Sequence, residues 1–346
     1  MSTSHPTPHV LLDPLRLEAN VAALARAAAA VGLAVRPHAK THKSLEIARR
    51  QLAAGAVGLT VATVSEATVF AAGGCDDLFI AYPLWVDDER ASRLRRVLEL
   101  ATVAVGVDSV EAVGRLASLA GTGLRVRVEV DSGHHRSGVP ALEAGRIASA
   151  AADSGLDVEG VFTFPGHSYA PTARATAAAD EANSLAVAVE SLAAVGLPSR
   201  VVSGGSTPSA AFADAGVLTE LRPGVYVFGD AQQWELETMS PGDIALGVVA
   251  TVVSRFGDRI VADAGSKLLG MDRAAWATGF GRVRGVPDAR ITALSEHHAT
   301  ITGLDVPVGS RIEIVPNHVC VTVNLVDEFV LPDGTTWPVD ARGRNT

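Results

Sequence analysis

Arg36-Pro37-His38-Ala39-Lys40-Thr41-His42-Lys43 follows the apolar run Val31 to Val35 and precedes a helical pattern that opens at Ser44. An apolar run, a polar junction and a helical run in that order make one strand-turn-helix unit. The amine of Lys40 stands at the strand end among cationic and imidazole groups. Lost hydration and like charges are expected to draw its pKa toward neutrality, which suits a lysine that forms Schiff bases. A solvated basic turn would use the same residues.

Outward from this stretch, residues 17 to 230 alternate short β-type runs with longer Ala-rich helical ones, the mark of parallel βα units. Eight candidate strands end near Lys40, Thr63, Tyr82, Val107, Val130, Phe164, Gly204 and Val227. Helical patterns such as Ser65 to Ala72, Asp87 to Leu100 and Ser109 to Leu119 follow them. Eight units predict a closed (β/α)8 barrel of the TIM type over residues 14–238. An open doubly wound sheet shares the alternation, but Ser203-Gly204-Gly205-Ser206 does not supply the early dinucleotide fingerprint such a fold often shows.

After about residue 242 the texture changes to alternating β runs: Gly247 to Arg255, Arg259 to Ala264, Arg290 to Leu294, Arg311 to Val315 and Val319 to Val326. These predict a C-terminal, mostly antiparallel β domain over 239–346, joined by residues 1–13 through the opening strand His9 to Leu12.

The 346 residues and 48 % hydrophobic composition support a sizeable core. A formal net charge of −9 without a long basic run argues against nucleic acid or an anionic membrane as principal partner. Two cysteines, Cys75 and Cys320, make no disulfide framework and fit a reducing cytoplasm. Met1 to His9 carry no apolar signal core and no stretch is long enough to span a bilayer, so a soluble, unprocessed chain is expected.

In a (β/α)8 barrel the reactive groups gather at the C-terminal strand ends. Here these carry Lys40 with His38 and His42, then Asp131-Ser132-Gly133-His134-His135-Arg136, then Pro165-Gly166-His167-Ser168-Tyr169. The seventh strand ends in Ser203-Gly204-Gly205-Ser206-Thr207, followed by Pro208 and a helical run; small residues, backbone amides and the Ser206 and Thr207 hydroxyls suit a phosphate. Turn and capping chemistry would use the same residues. After the eighth strand, Arg222-Pro223-Gly224-Val225 adds Gly224, where amides can again approach an anion. A lysine and a phosphate cradle on one barrel mouth imply pyridoxal 5'-phosphate, with Arg136 able to donate to its phenolic oxygen and His167 or Tyr169 able to pack on its ring.

Pro316-Asn317-His318-Val319-Cys320 is the second constellation. On a strand, positions two apart share a face, so His318 and Cys320 can hold one metal and leave positions open for water and substrate. Nitrogen plus thiolate favours Zn(2+), with Mn(2+) the other candidate; a buried cysteine beside a hydrogen-bonded histidine is the plain structural alternative. Glu296, His297 and His298 are read as another polar cluster on a strand, either behind the ligands, structural or at a subunit contact.

Together these motifs resemble the D-threonine aldolase and D-serine dehydratase family, pyridoxal phosphate enzymes with the alanine racemase type of barrel. The resemblance runs over nearly the whole chain and includes Arg222-Pro223-Gly224-Val225-Tyr226-Val227-Phe228. It implies that Lys40 carries the cofactor and is the base at the α-carbon of a D-amino acid. It implies that Arg136 reaches the phenolic oxygen, that Arg222 lies near the pyridine nitrogen, and that His318 and Cys320 hold a metal near the substrate β-hydroxyl. An arginine beside that nitrogen would disfavour ring protonation and weaken the electron sink.

Two reactions follow. Loss of the β-hydroxyl after removal of the α-proton gives, through an enamine, a 2-oxo acid and ammonia; cleavage of the Cα–Cβ bond gives glycine and an aldehyde. Aldolases of the family tend to place Asp two residues after the metal-binding His, dehydratases Cys, and here the residue is Cys320. Thr322-Val323-Asn324-Leu325 looks like the aldolase version. The expectation is a carbon–oxygen lyase of D-serine ammonia-lyase type, with a carbon–carbon lyase as the alternative. A racemase would need a second acid/base, usually a tyrosine, which the region Asp263-Ala264-Gly265-Ser266-Lys267 does not offer. A non-catalytic carrier of the cofactor would have no use for a metal pair. By analogy the protein is expected to be a homodimer, with a small D-amino acid as its partner.

Overall fold

The computed structural model describes residues His5 to Thr346, and Met1 to Ser4, part of the polar N-terminal reading above, lie outside them. The chain divides into two compact units. One holds Leu24–Lys40, Ala48–Gly224 and Arg344–Thr346; the other holds the chain up to Ala23, Thr41–Ile47 and Val225–Gly343.

The chain opens with β1 (His9–Leu12) and α1 (Pro14–Ala30). The strands of the first unit are β2 (Ala34–Val35), β3 (Leu59–Val61), β4 (Asp77–Pro83), β5 (Thr102–Val107), β6 (Arg125–Glu129), β7 (Asp157–Phe162), β8 (Val201–Gly204) and β9 (Glu220–Leu221). Between them run α2 (Leu45–Ala53), α3 (Val64–Ala72), α4 (Asp88–Leu98), α5 (Val110–Leu116), α6 (Ala144–Asp153) and α7 (Arg174–Ala194). All strand pairs are parallel, in the order β2-β9-β8-β7-β6-β5-β4-β3. The chain just after β2 returns to β3: Thr60 N–H donates to Pro37 O (2.8 Å), and His38 bridges Thr60 in parallel. These bonds close the barrel and exclude the open sheet.

Helix starts follow from capping residues. Thr63, Asp87 and Ser109 accept the amides of Glu66, Arg90 and Ala112 at the heads of α3, α4 and α5. Near the strand starts, the barrel interior holds a closed ring of alternating charge. Arg36 pairs with Asp77 (2.7 Å) and Glu220 (3.0 Å), Arg125 with Asp77 (3.1 Å) and Glu159 (2.7 Å), and Arg127 with Glu159 (2.7 Å) and Glu220. Burial pushes the Glu220 carboxyl up, but Arg127 and Arg36 outweigh it and hold the group at about 2.

The second unit begins with β1 and, after α8 (Ala231–Glu235), continues through β10 (Leu246–Phe256), β11 (Arg259–Ala262), α9 (Ser266–Leu269), β12 (Gly281–Val283), β13 (Val286–Leu294), β14 (Ala299–Thr302) and β15 (Arg311–Pro316). α10 (Val319–Asn324), β16 (Glu328–Val330) and β17 (Thr336–Pro338) complete it. The sheet order is β11-β14-β13-β12-β15-β10-β1-β16-β17, and β11 pairs back to β10, closing an antiparallel barrel. β1 pairs antiparallel with β10, as expected of the opening strand.

Five local expectations are corrected. The first strand ends at Val35, and Lys40 rides a single 3-10 turn, Ala39–Thr41, beyond it. The eighth ends at Leu221, with Val225–Val227 a 3-10 turn, and the run after Pro208 forms only a 3-10 turn, Ala210–Phe212. Val319 to Val326 is helical over α10 rather than a strand, and Glu296 to His298 form a bend between β13 and β14.

Candidate active site

At the C-terminal strand ends of the first unit lies a cavity of about 520 Å3. Lys40, Arg136 and Arg222 all line it, so three of the residues singled out by sequence share one wall system. Phe164 sits between two of them: Lys40 Nζ is 5.8 Å and Arg136 Cζ 5.2 Å from its ring centroid, within range of cation–π attraction.

The loop after β6 aims Arg136. Asp131 Oδ1 accepts the amides of Gly133 (2.9 Å) and His135 (3.0 Å), and Oδ2 meets His135 Nδ1 at 2.7 Å. Behind the loop, Glu129 is buried 4.0 Å from Arg136 Nη2. Burial raises its carboxyl above the usual range against the pull of Ser137, Arg136 and Arg222.

Arg222 is buried with its guanidinium on the Phe162 (5.2 Å) and Phe79 (5.5 Å) rings, and Nη2 donates to Thr163 O. Burial lowers it to about 10, only partly offset by Glu220. Its Nε has no hydrogen-bond partner among the described residues. An acceptor from a ligand would satisfy it.

The hydroxyl-rich loop lies one strand away, where Arg222 N–H donates to Gly204 O at 2.8 Å. Ser206 Oγ is 2.8 Å from both Ser168 Oγ and Ser209 Oγ, a three-hydroxyl cluster. Ser206, Thr207 and Gly224 are not among the residues that line the cavity, nor are His167 and Tyr169. His167 Nε2 pairs with Asp180 (3.2 Å), and Tyr169 lies 6.2 Å from the Phe164 ring, tilted. Val225 opens its 3-10 turn in the second unit.

Sequence reasoning missed Phe164, Tyr82, Asp108 and Glu129. Tyr82 and Asp108 line the cavity at the ends of β4 and β5, and Asp108 Oδ2 accepts Gly138 N–H (3.2 Å). Their strand-end positions were the available signal.

Within the second unit, His318 caps α10 and Cys320 sits in its first turn. The strand argument for a shared face fails, but the extended backbone of the cap (φ −130°, ψ 103°) still lets the imidazole hydrogen-bond to Cys320. Burial lowers the His318 pKa, and Cys320, Asp230 and Asp272 outweigh it and raise it to about 9. Asp230 is buried, caps α8 through Gln233 N–H (2.9 Å) and accepts Val319 N–H (3.2 Å), fixing the turn that carries both side chains. The Cys320 thiol donates to Thr41 Oγ1 at 3.3 Å. Among the described residues no three His, Cys, Asp or Glu converge as a complete metal cage, so the pair would need water or substrate to complete a coordination sphere. No helix of the described chain is long and apolar enough to cross a membrane.

Residues 12–232 match the alanine racemase N-terminal domain and residues 245–331 a D-serine dehydratase-like domain. The D-threo-3-hydroxyaspartate dehydratase of Delftia sp. (strain HT23) is 34 % identical, with 91 % of each chain covered. The D-threonine aldolase of Arthrobacter sp. is 34 % identical over 97 % of this chain and 93 % of its own. Two structures of D-threo-3-hydroxyaspartate dehydratase variants, 32 % identical, superpose with TM-scores of 0.89 over 97 % of this chain and 95 % and 97 % of theirs. In one a histidine is replaced; in the other, described as metal-free, a cysteine two positions later.

Proposed function

This chain belongs to the family that joins an alanine racemase N-terminal domain to a D-serine dehydratase-like domain, and on that premise we propose that it removes water from D-serine or a related β-hydroxy-D-amino acid, giving a 2-oxo acid and ammonia. The family comprises D-amino-acid lyases of dehydratase and aldolase type that use pyridoxal 5'-phosphate. The barrel mouth suits that cofactor. Lys40 offers an amine for its aldehyde, Arg136 and the orphaned Nε of Arg222 offer donors for ring acceptors, and Ser206 and Thr207 offer hydroxyls for its phosphate. When bound, the cofactor supplies a sink for the electron pair left on the α-carbon.

Lys40 Nζ takes the α-proton in this reading. Phe164 keeps a low-dielectric face beside the amine, and Arg136, aimed by the Asp131 loop, holds the cofactor ring in place. In the second unit His318 and Cys320 would hold a divalent metal, zinc by donor softness, whose Lewis acidity lowers the cost of expelling hydroxide.

The observation that carries elimination over carbon–carbon cleavage is the thiol of Cys320 two residues after His318, the dehydratase pattern. Purified protein with pyridoxal 5'-phosphate, zinc or manganese and D-serine should yield pyruvate and ammonia in equal amounts. Chelation or Cys320→Ala should abolish that yield; a Cys320→Ala protein fully active after chelation would remove the metal from the reaction.

A further inference from the structure

One fully buried carboxyl group has no part in the reaction above. Glu181 lies on α7, and its Oε1 accepts the amide of Gly205 at 2.6 Å. A Cβ at Gly204 would stand 2.3 Å from the same oxygen, so glycine at 204 is what lets the carboxyl close on the loop. Gly205 has φ +81°, the left-handed conformation that presents its N–H to Glu181. Ser206 follows directly, within the Ser168, Ser206 and Ser209 hydroxyl cluster. The other carboxyl oxygen, Oε2, has no hydrogen-bond partner among the described residues. An acid thus backs the loop read as a phosphate site, where an ionised carboxylate would repel the phosphate.

We infer that Glu181 is the positioning residue of this anion loop, and that it holds the loop as a neutral carboxylic acid when phosphate is bound, so that cofactor binding takes up a proton at Glu181. This rests on the reading of Ser206 and Thr207 as the phosphate site. Burial raises the group to about 7 against the Gly205 amide and Arg222, so a nearby dianion has little further to push. The charged groups around it are Arg222, which acts on it after β9, and Asp180, its neighbour on α7, which is paired with His167 from the loop after β7.

The test uses the full chain and pyridoxine 5'-phosphate, which carries the phosphate but no aldehyde, so Lys40 chemistry does not enter. Its affinity should fall about five- to tenfold from pH 7 to pH 8.5 in the wild type, and less than about twofold in Glu181→Gln, which keeps the acceptor and cannot ionise. Calorimetry of the wild type in two buffers of different ionisation enthalpy should show uptake of about half a proton or more per probe at pH 8. Parallel pH profiles, no proton uptake, or a Glu181→Gln protein that loses the probe at pH 7 would overturn the role of Glu181 alone. Failure of the wild type to bind the probe at any pH would overturn the phosphate site and this inference together.

Discussion

The Cys320 thiol donates a hydrogen bond to Thr41 Oγ1 across 3.3 Å, and Thr41 is peptide-bonded to Lys40. Thr41 is fully buried and belongs to the same unit as Cys320. A hydroxyl can accept from a thiol and donate to a thiolate, so Thr41 suits both states of the proposed ligand. Thr41→Val keeps the shape and removes that partner. Zinc affinity measured by competition titration should fall about 10–100-fold, the usual cost of losing a hydrogen bond behind a metal ligand. Unchanged affinity would place Cys320 outside the metal site.

Lys40→Ala should remove the visible absorption band of lysine-bound pyridoxal 5'-phosphate and all turnover, with far-UV circular dichroism unchanged. Persistence of the band would mean that another amine takes the aldehyde.

The charge ring near the strand starts should matter for stability. Glu220→Gln leaves Arg127 and Arg36 short of a partner inside the barrel, and urea unfolding should show a loss of about 3–5 kcal/mol. Because the folded pKa of Glu220 is depressed to about 2, its contribution is present above its ordinary value of 4.5 and drains away as pH falls toward 2. The two proteins should therefore converge in stability at the acid end.

Glu181 carries the opposite sign. Its folded pKa is raised from 4.5 to about 7, so its contribution is full below 4.5 and lost as pH rises through 7. Without cofactor, Glu181→Gln should be more stable than wild type at pH 8, by on the order of 3 kcal/mol, and the gap should close near pH 4.5. Denaturant midpoints across that range check it.

The barrel was legible because its helices open on Thr63, Asp87 and Ser109 caps and its strands are short, apolar and evenly spaced. Strand ends read less well. Lys40 lies beyond a two-residue strand, where Pro37 and tertiary bonds rather than β-propensity shape the chain. The run Val319-Cys320-Val321-Thr322-Val323 is β-branched and reads as strand, yet Asp230 holds the Val319 amide and Thr322 Oγ1 donates to Leu269 O (3.2 Å). Such tertiary bonds outweigh propensities worth a fraction of a kcal/mol per residue. Glu181 was illegible for a different reason: an acid in an Ala-rich helix looks solvated until the fold brings Gly205 to it.

D-Threonine can undergo either reaction, so its products test the elimination reading most directly. A single incubation of the zinc-loaded holoenzyme with D-threonine, with ammonia and glycine both quantified, should give ammonia and 2-oxobutanoate without glycine. Glycine and acetaldehyde without ammonia would contradict elimination and assign the site of His318 and Cys320 to carbon–carbon cleavage.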